Sequence, residues 1–134
     1  MAAAWRYGDL SNAHDLQGIG AMIAPAATLY GNTGKAAILD GMRRFRHTYP
    51  KVWWTFRDWH APSLNEVEFA FDRYWTDSAT GGVLMCTAAE VIGFDADARM
   101  VSITYTEAPS APVQVPGYPP DASPLDFVDA EPSD

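Results

Sequence analysis

Between Asn65 and Thr76 the chain reads N-E-V-E-F-A-F-D-R-Y-W-T, and from Val67 onward it separates into two unlike rows. Val67, Phe69, Phe71, Arg73 and Trp75 form one row, while Glu68, Ala70, Asp72, Tyr74 and Thr76 form the other. A repeat of two belongs to a β-strand whose faces meet different surroundings. The aromatic row carries a single charge, Arg73. A lone guanidinium is costly to desolvate, so Arg73 needs a partner, a wet cavity, or a place at the sheet rim from which its stem reaches water.

The segments on either side set the fold class. Residues 52–60 are aromatic on both faces, Trp53 and Trp59 on one and Trp54 and Phe56 on the other, which calls for a core on one side and a second subunit on the other. Turns at 62–65, 78–82 and 95–98 separate this strand, the Arg73 strand, and two further strands over 83–94 and 100–107. Short turns without intervening helices predict antiparallel pairing. Upstream, residues 2–7 read as a short helix that Gly8 weakens, and Asn12 or Asp15 caps a second helix ended by Pro25. A short strand over 27–30 then meets a turn at 31–34. Residues 35–49 form the clearest helix, with Ile38, Met42, Phe45 and Tyr49 as its apolar stripe. Arg43, Arg44, Arg46 and His47 near its end complement the helix dipole, and Pro50 stops it. Helices followed by a meander predict an α+β domain with helices on one face of the sheet.

Composition narrows the function classes. At 134 residues, 48% hydrophobic and 19% charged, the chain suits one globular domain. Its five Trp, six Tyr and six Phe suit an aromatic-walled pocket or a hydrophobic subunit interface. A formal net charge of −8 argues against nucleic acid and anionic membrane surfaces as partners. Cys86 stands alone, and His14, His47 and His60 lie on three separate elements, so neither a disulfide nor a metal site is expected. The lone Gly34-Lys35 pair makes no phosphate loop. With no basic-then-apolar leader and no run near ~20 apolar residues, a soluble, cytoplasmic protein is expected. Residues 108–134 differ in kind, holding seven of the ten prolines and five of the 17 acids and no basic residue. They predict an extended acidic tail without a core of its own, dispensable for folding, beside a folded domain of residues 1–107.

Several short motifs, taken in order, resemble the nuclear transport factor 2-like superfamily. They are Asn12-Ala13-His14-Asp15-Leu16-Gln17-Gly18-Ile19, the Ala27-Thr28-Leu29 strand, the Ile38 to Phe45 helix, Asn65-Glu66 before Phe69-Ala70-Phe71, and Phe94 with Arg99-Met100-Val101-Ser102-Ile103. The set covers about residues 2 to 107 and is most similar to the ketosteroid isomerase and SnoaL-like polyketide cyclase branch. The resemblance implies a cone in which N-terminal helices pack into a strongly curved antiparallel sheet. A ligand pocket would open at its wide end, and a homodimer would form through the sheet's outer face.

It also implies roles for residues. The isomerase's oxyanion-hole tyrosine falls on Tyr7, five residues before Asn12, and its buried carboxylic acid on Glu90, four before Phe94. A phenol and a protonated carboxyl can both donate to a developing enolate oxygen. The family's general-base aspartate falls on Gly31, which cannot take a proton and so counts against the familiar steroid isomerisation. Phe71, Arg73, Trp75, Glu90, Ile92, Ile103, Tyr105 and Glu107 would face the pocket, and Trp53, Phe56, Trp59 and His60 are also expected to bind substrate. An Arg between carboxylates also resembles the water-holding site of limonene epoxide hydrolase, although the second acid there falls near Tyr105. Three readings follow. The first is a cofactor-free isomerase, cyclase or dehydratase of a small apolar or aromatic metabolite, using Tyr7, Arg73, Glu90 and Tyr105. The second is a non-catalytic binding or assembly domain, and the third is epoxide hydrolase-like water addition. A deep cup holding Glu90 and Arg73 favours the first, and a cup filled by Trp75 and Trp53 the second.

Overall fold

The computed structural model describes residues 1–128. Helices α1 (Ala2–Asn12) and α2 (Leu16–Ala21) lead into β1 (Ile23–Leu29), β2 (Asn32–Thr33) and α3 (Lys35–Thr48). The meander β3 (Trp53–Ser63), β4 (Glu66–Thr76), β5 (Val83–Phe94) and β6 (Met100–Glu107) follows, with a short β7 (Val113–Val115) beyond it. The sheet runs β2-β1-β6-β5-β4-β3, with β7 also on β5. It is curved and does not close, so the chain forms the α+β cone that the resemblance implies. One pairing differs from expectation: β1 lies parallel to β6, Ile23 opposite Met100 and Leu29 opposite Ile103, which makes the sheet mixed. Period-two patterning shows which residues share a face but not which distant strand lies alongside.

The helical end is built differently from its propensities. α1 continues through Gly8, because a Cβ there would lie 2.9 Å from the Phe56 ring of β3; glycine is the residue that lets helix and strand approach. The helix ends at Asn12 in a Schellman arrangement, with the Asp15 N–H donating to the Leu10 carbonyl and His14 N–H to Ser11, and with His14 in the left-handed region at φ 56°. Asp15, not Asn12, caps α2 by accepting from Gly18 N–H at 2.8 Å. Asn12 instead clamps α1 to β3: its Nδ2 donates to the Trp54 carbonyl at 2.9 Å, and its Oδ1 accepts from the Trp54 N–H at 2.8 Å. Pro25 lies inside β1, in the stretch where the β1–β6 register shifts, a position that does not require its missing N–H.

Two bulges decide which side chains face the helices. In β3, Arg57 pairs with Ala70 and His60 with Glu68, leaving one extra residue, and Asp58 sits there at φ 60°. The phase therefore flips, so Trp59 joins Trp54 and Phe56 against the core while His60 turns outward to Glu68. In β6, Tyr105 pairs with Glu90 but Glu107 with Ala89, again one residue out of step. Tyr105 keeps the inner face, and Glu107 is carried to the outside, exposed. The core lies between α1 to α3 and the inner rows of β4 and β5, with Phe69, Phe71, Ile92 and Ile103 fully buried.

Beyond β6 the described chain makes contacts back to the domain. β7 pairs with β5 at Val83 to Met85, and Ser110 bridges the gap from β6, its N–H donating to the Thr87 carbonyl at 2.9 Å. Tyr118 lies over Tyr74 and donates to the Lys51 carbonyl at 2.9 Å, with its hydroxyl 2.8 Å from Thr76 Oγ1. Leu125 then offers its carbonyl to His14. Asp129, Glu131 and Asp134 lie outside the described residues. These contacts lead to a prediction opposite to the expectation that the tail is dispensable. Deleting residues 111–134 should lower the melting temperature by more than about 5 °C in a thermal scan, and an unchanged midpoint would show that the contacts contribute nothing.

Candidate functional site

A cavity of about 240 Å³ opens between α1, α3 and the inner face of the sheet. Its walls are Ile38, Met42, Phe45, Trp54 and Phe71, and its polar groups come from Tyr7, Ser11, Tyr30, Asn32, Arg46, Arg73, Glu90 and Tyr105. The four residues expected to carry chemistry, Tyr7, Arg73, Glu90 and Tyr105, are therefore brought together. Of those expected to bind substrate, Phe71 alone lines this space. Ile92 and Ile103 are core beneath it, and Trp75 packs behind Arg73 with Val52 and Cys86. Trp53, Phe56 and Trp59 border a separate shallow hollow with Trp5 and Asp121, and His60 and Glu107 face outward because of the bulges.

Glu90 is the centre of the site. It sits mid-strand in β5, opposite Tyr105, with 3% of its surface exposed, and its Oε2 has no hydrogen-bond partner among the described residues. Burial pushes its carboxyl up to about 7, opposed by a hydrogen bond from Tyr30 and by the Arg73 charge. Tyr7 and Tyr30 form a hydroxyl pair at 3.0 Å, so Tyr7, Tyr30 and Glu90 make a chain. Burial first, then the neighbouring Glu90, pushes the Tyr7 phenol up to about 12, so it stays a proton donor at neutral pH. Tyr105 is raised for the same two reasons, burial foremost.

Arg73 is buried, with 6% exposed, and its Nε has no hydrogen-bond partner among the described residues. No ion pair with Glu90 forms among the described residues; the guanidinium instead lies over Phe45, Tyr49 and Trp75 at 4.9, 5.2 and 5.8 Å from their ring centroids. Such contacts supply about 0.5 to 2 kcal/mol each, less than full desolvation costs. Neither the rim position nor the paired one describes Arg73; it is a buried cation held by rings at a cavity wall.

Two site residues were missed by sequence reasoning. Arg46 was assigned to the helix dipole, yet it is buried, donating through Nη2 to the Ser11 carbonyl at 3.0 Å, through Nη1 to Met42 at 3.2 Å and through Nε to His14 Nδ1 at 3.1 Å. The signal was its spacing: Arg46 is four residues after Met42, which is four after Ile38, on the inner stripe. His14 thus accepts at Nδ1 and donates from Nε2 to Leu125 at 2.8 Å, a neutral ring whose pKa burial lowers further. The sequence places Tyr30 only at the end of the 27–30 strand. Tyr30 and Gly31 form a two-residue hairpin turn, both at positive φ (52° and 81°), and the Tyr30 N–H donates to Ile103 at 3.1 Å. That turn swings its hydroxyl to Tyr7 and Glu90, while 36% of the residue stays exposed on the outer side of the ring. Gly31, where a catalytic aspartate was sought, serves the turn.

The Glu90 shift has a sign. Its folded pKa of about 7 lies above the ordinary 4.5, so between those values the folded state holds a proton that the unfolded chain has lost, and stability falls as pH rises through that window. The loss amounts to about 3 kcal/mol. Urea unfolding at about pH 4.5 and about pH 8 should show this decline in the parent and not in Glu90→Gln; identical pH dependence in the two would mean that Glu90 titrates normally. Arg73→Met removes the charge that opposes the shift, so carboxyl-carbon NMR should place Glu90 above about 7 in that variant.

No protein-family model matches the sequence, and no curated protein matches it. Solved structures do. A nuclear transport factor 2-like protein of unknown function from Exiguobacterium sp. 255-15 is 16% identical, with 81% of this chain and 98% of that one covered at a TM-score of 0.68. The Δ5-3-ketosteroid isomerase of a Mycobacterium species is 15% identical over 80% of this chain and 91% of its own, at a TM-score of 0.67. SalBIII, an epoxide hydrolase/cyclase-like enzyme in pyran ring formation in the polyether salinomycin, is 16% identical over 80% and 88%, at 0.69. At such identities the likeness concerns the fold, and the chain has the nuclear transport factor 2-like fold.

Proposed function

We propose that the protein is a cofactor-independent enzyme that moves a proton on a small, largely apolar metabolite, in an isomerase, cyclase or dehydratase type of reaction. The observation that carries this reading is Glu90, a buried carboxyl brought to about 7, with one oxygen uncommitted, at the wall of an aromatic cavity. A carboxyl with that pKa both takes and returns a proton at neutral pH, which is what a general acid–base needs. Tyr30 and Tyr7 keep their protons, and once Glu90 is protonated and donates to Tyr30 the chain can run on to Tyr7, leaving the Tyr7 hydrogen for negative charge developing on a bound carbonyl oxygen. Arg73 holds Glu90 below the value that burial alone would produce, keeping part of it ionised. Arg46 fixes α1 to α3 at the opposite wall. The open cup supports a small-molecule site over a pure assembly domain, since Trp53 and Trp75, the side chains expected to fill it, lie elsewhere.

Water addition of the epoxide hydrolase type has less support, because Tyr105 stands where its second acid is required. A cytoplasmic setting belongs to the same reading and rests on the buried, free thiol of Cys86; among the described residues, no helix is long and apolar enough to cross a membrane. We also propose a homodimer through the outer sheet face, where Val101 and Val113 are exposed, although Tyr118 narrows that face by lying over Tyr74. Light scattering at micromolar concentration tests it, and a monomeric mass would reject it.

Deuterium uptake beside the carbonyl of a panel of small cyclic and aromatic ketones, followed by NMR in D2O, tests the catalytic reading. At least one ketone should exchange faster than in buffer, with a rate that inflects near 7 and falls about a hundredfold or more in Glu90→Gln. Exchange unaffected by that substitution would remove Glu90 from the chemistry.

A further inference from the structure

The cavity's charge does not balance. Two guanidinium groups, Arg46 and Arg73, line it, and among the described residues Glu90 is the single carboxyl that does so. Even with Glu90 fully ionised, one positive charge is left over in a space walled by Phe45, Trp54 and Phe71. Neither arginine forms an ion pair among the described residues. Arg46 spends three donors on two carbonyls and a histidine nitrogen, all uncharged, leaving two of its five N–H groups uncommitted. Arg73 spends none from Nε, although it is 94% buried by its 6% exposure. An uncompensated buried cation is costly, and the ring faces around it return only part of that cost.

Resting on the proton-transfer reading of this same site, we infer that the molecule the cavity takes is a monoanion, a small ring-bearing carboxylic acid whose carboxylate lies against Arg73 and whose ring lies among Phe45, Trp54 and Phe71. A carboxylate supplies the planar acceptor that a guanidinium edge fits, and it neutralises Arg73 directly, taking over from Glu90 as that cation's counter-charge. It would also add a second negative group beside Glu90. The groups facing Glu90 are Tyr7 on α1, Tyr30 after β1, Arg73 on β4 and Tyr105 on β6, with Arg46 across the cavity on α3; among these only the arginines are cationic. An incoming anion therefore drives Glu90 toward its protonated form, and binding takes up protons near neutral pH. Affinity should fall as pH rises above the range where Glu90 can hold that proton.

The probes are 2-naphthoate and 2-naphthamide, which share a shape and differ in charge, titrated calorimetrically into the full chain in HEPES and in Tris. The expected result is at least a tenfold preference for the naphthoate, loss of that preference in Arg73→Met, and a buffer-dependent heat that reports proton uptake. Glu90→Gln, which keeps the cation, should retain the preference and lose the proton uptake, so the inference remains open to test even if Arg73→Met fails to fold. Equal affinity for the two probes would overturn the anion inference and leave the small-molecule site standing. A naphthoate preference that survives Arg73→Met would also overturn it, since the charge would then be read elsewhere. Binding of neither probe would overturn this inference together with the reading on which it rests.

Discussion

Desolvation of one carboxyl organises the working end of this molecule. Glu90 lies in the middle of a central strand with 3% of its surface exposed, and the groups that meet it are phenols and the Arg73 cation. A close Arg73–Glu90 pair would settle both charges and leave an inert wall. The fold instead spreads Arg73 over three ring faces and gives Glu90 one tyrosine hydroxyl, so each keeps an uncommitted atom. Partial satisfaction of this kind costs stability, and it is common where a protein stores binding or chemical capacity.

The helices and the sheet cooperate to hold that state. Gly8 lets α1 close on Phe56, Asn12 ties the same helix to the Trp54 backbone, and together they set Tyr7 over the cavity. Tyr30 arrives from the other side on a tight hairpin anchored to β6. Three separate segments thus meet at one hydroxyl chain.

Much of this was legible in the residues. The two rows of β4 gave the core face and exposed Arg73 as an anomaly, and the ordered motifs pointed to the cone and to Tyr7, Glu90 and Tyr105. What was not legible has specific causes. A bulge adds one residue, and one residue inverts every face beyond it; Trp59, His60 and Glu107 were misassigned for that reason. Arg46 was hidden because a cation at a helix end already had a sufficient electrostatic explanation, although its four-residue spacing from Met42 marked the inner stripe. Tyr30 was hidden because a turn residue's direction depends on φ, which sequence alone does not display. The parallel β1–β6 pair was hidden because distant strands meet without any local signature.

The His14–Leu125 hydrogen bond joins residues 111 positions apart, so nearly the whole chain is the loop that it closes. Contacts of such long range form late, since the entropy of closure is recovered only after the intervening structure exists. The tail is therefore expected to dock on a finished cone, and to leave it first, in openings smaller than global unfolding. Because His14 also receives the Arg46 Nε–H, each such opening frees one side of the ring that orients a cavity arginine. The order of assembly thus runs to the cavity wall: the last contact made is one hydrogen bond removed from Arg46.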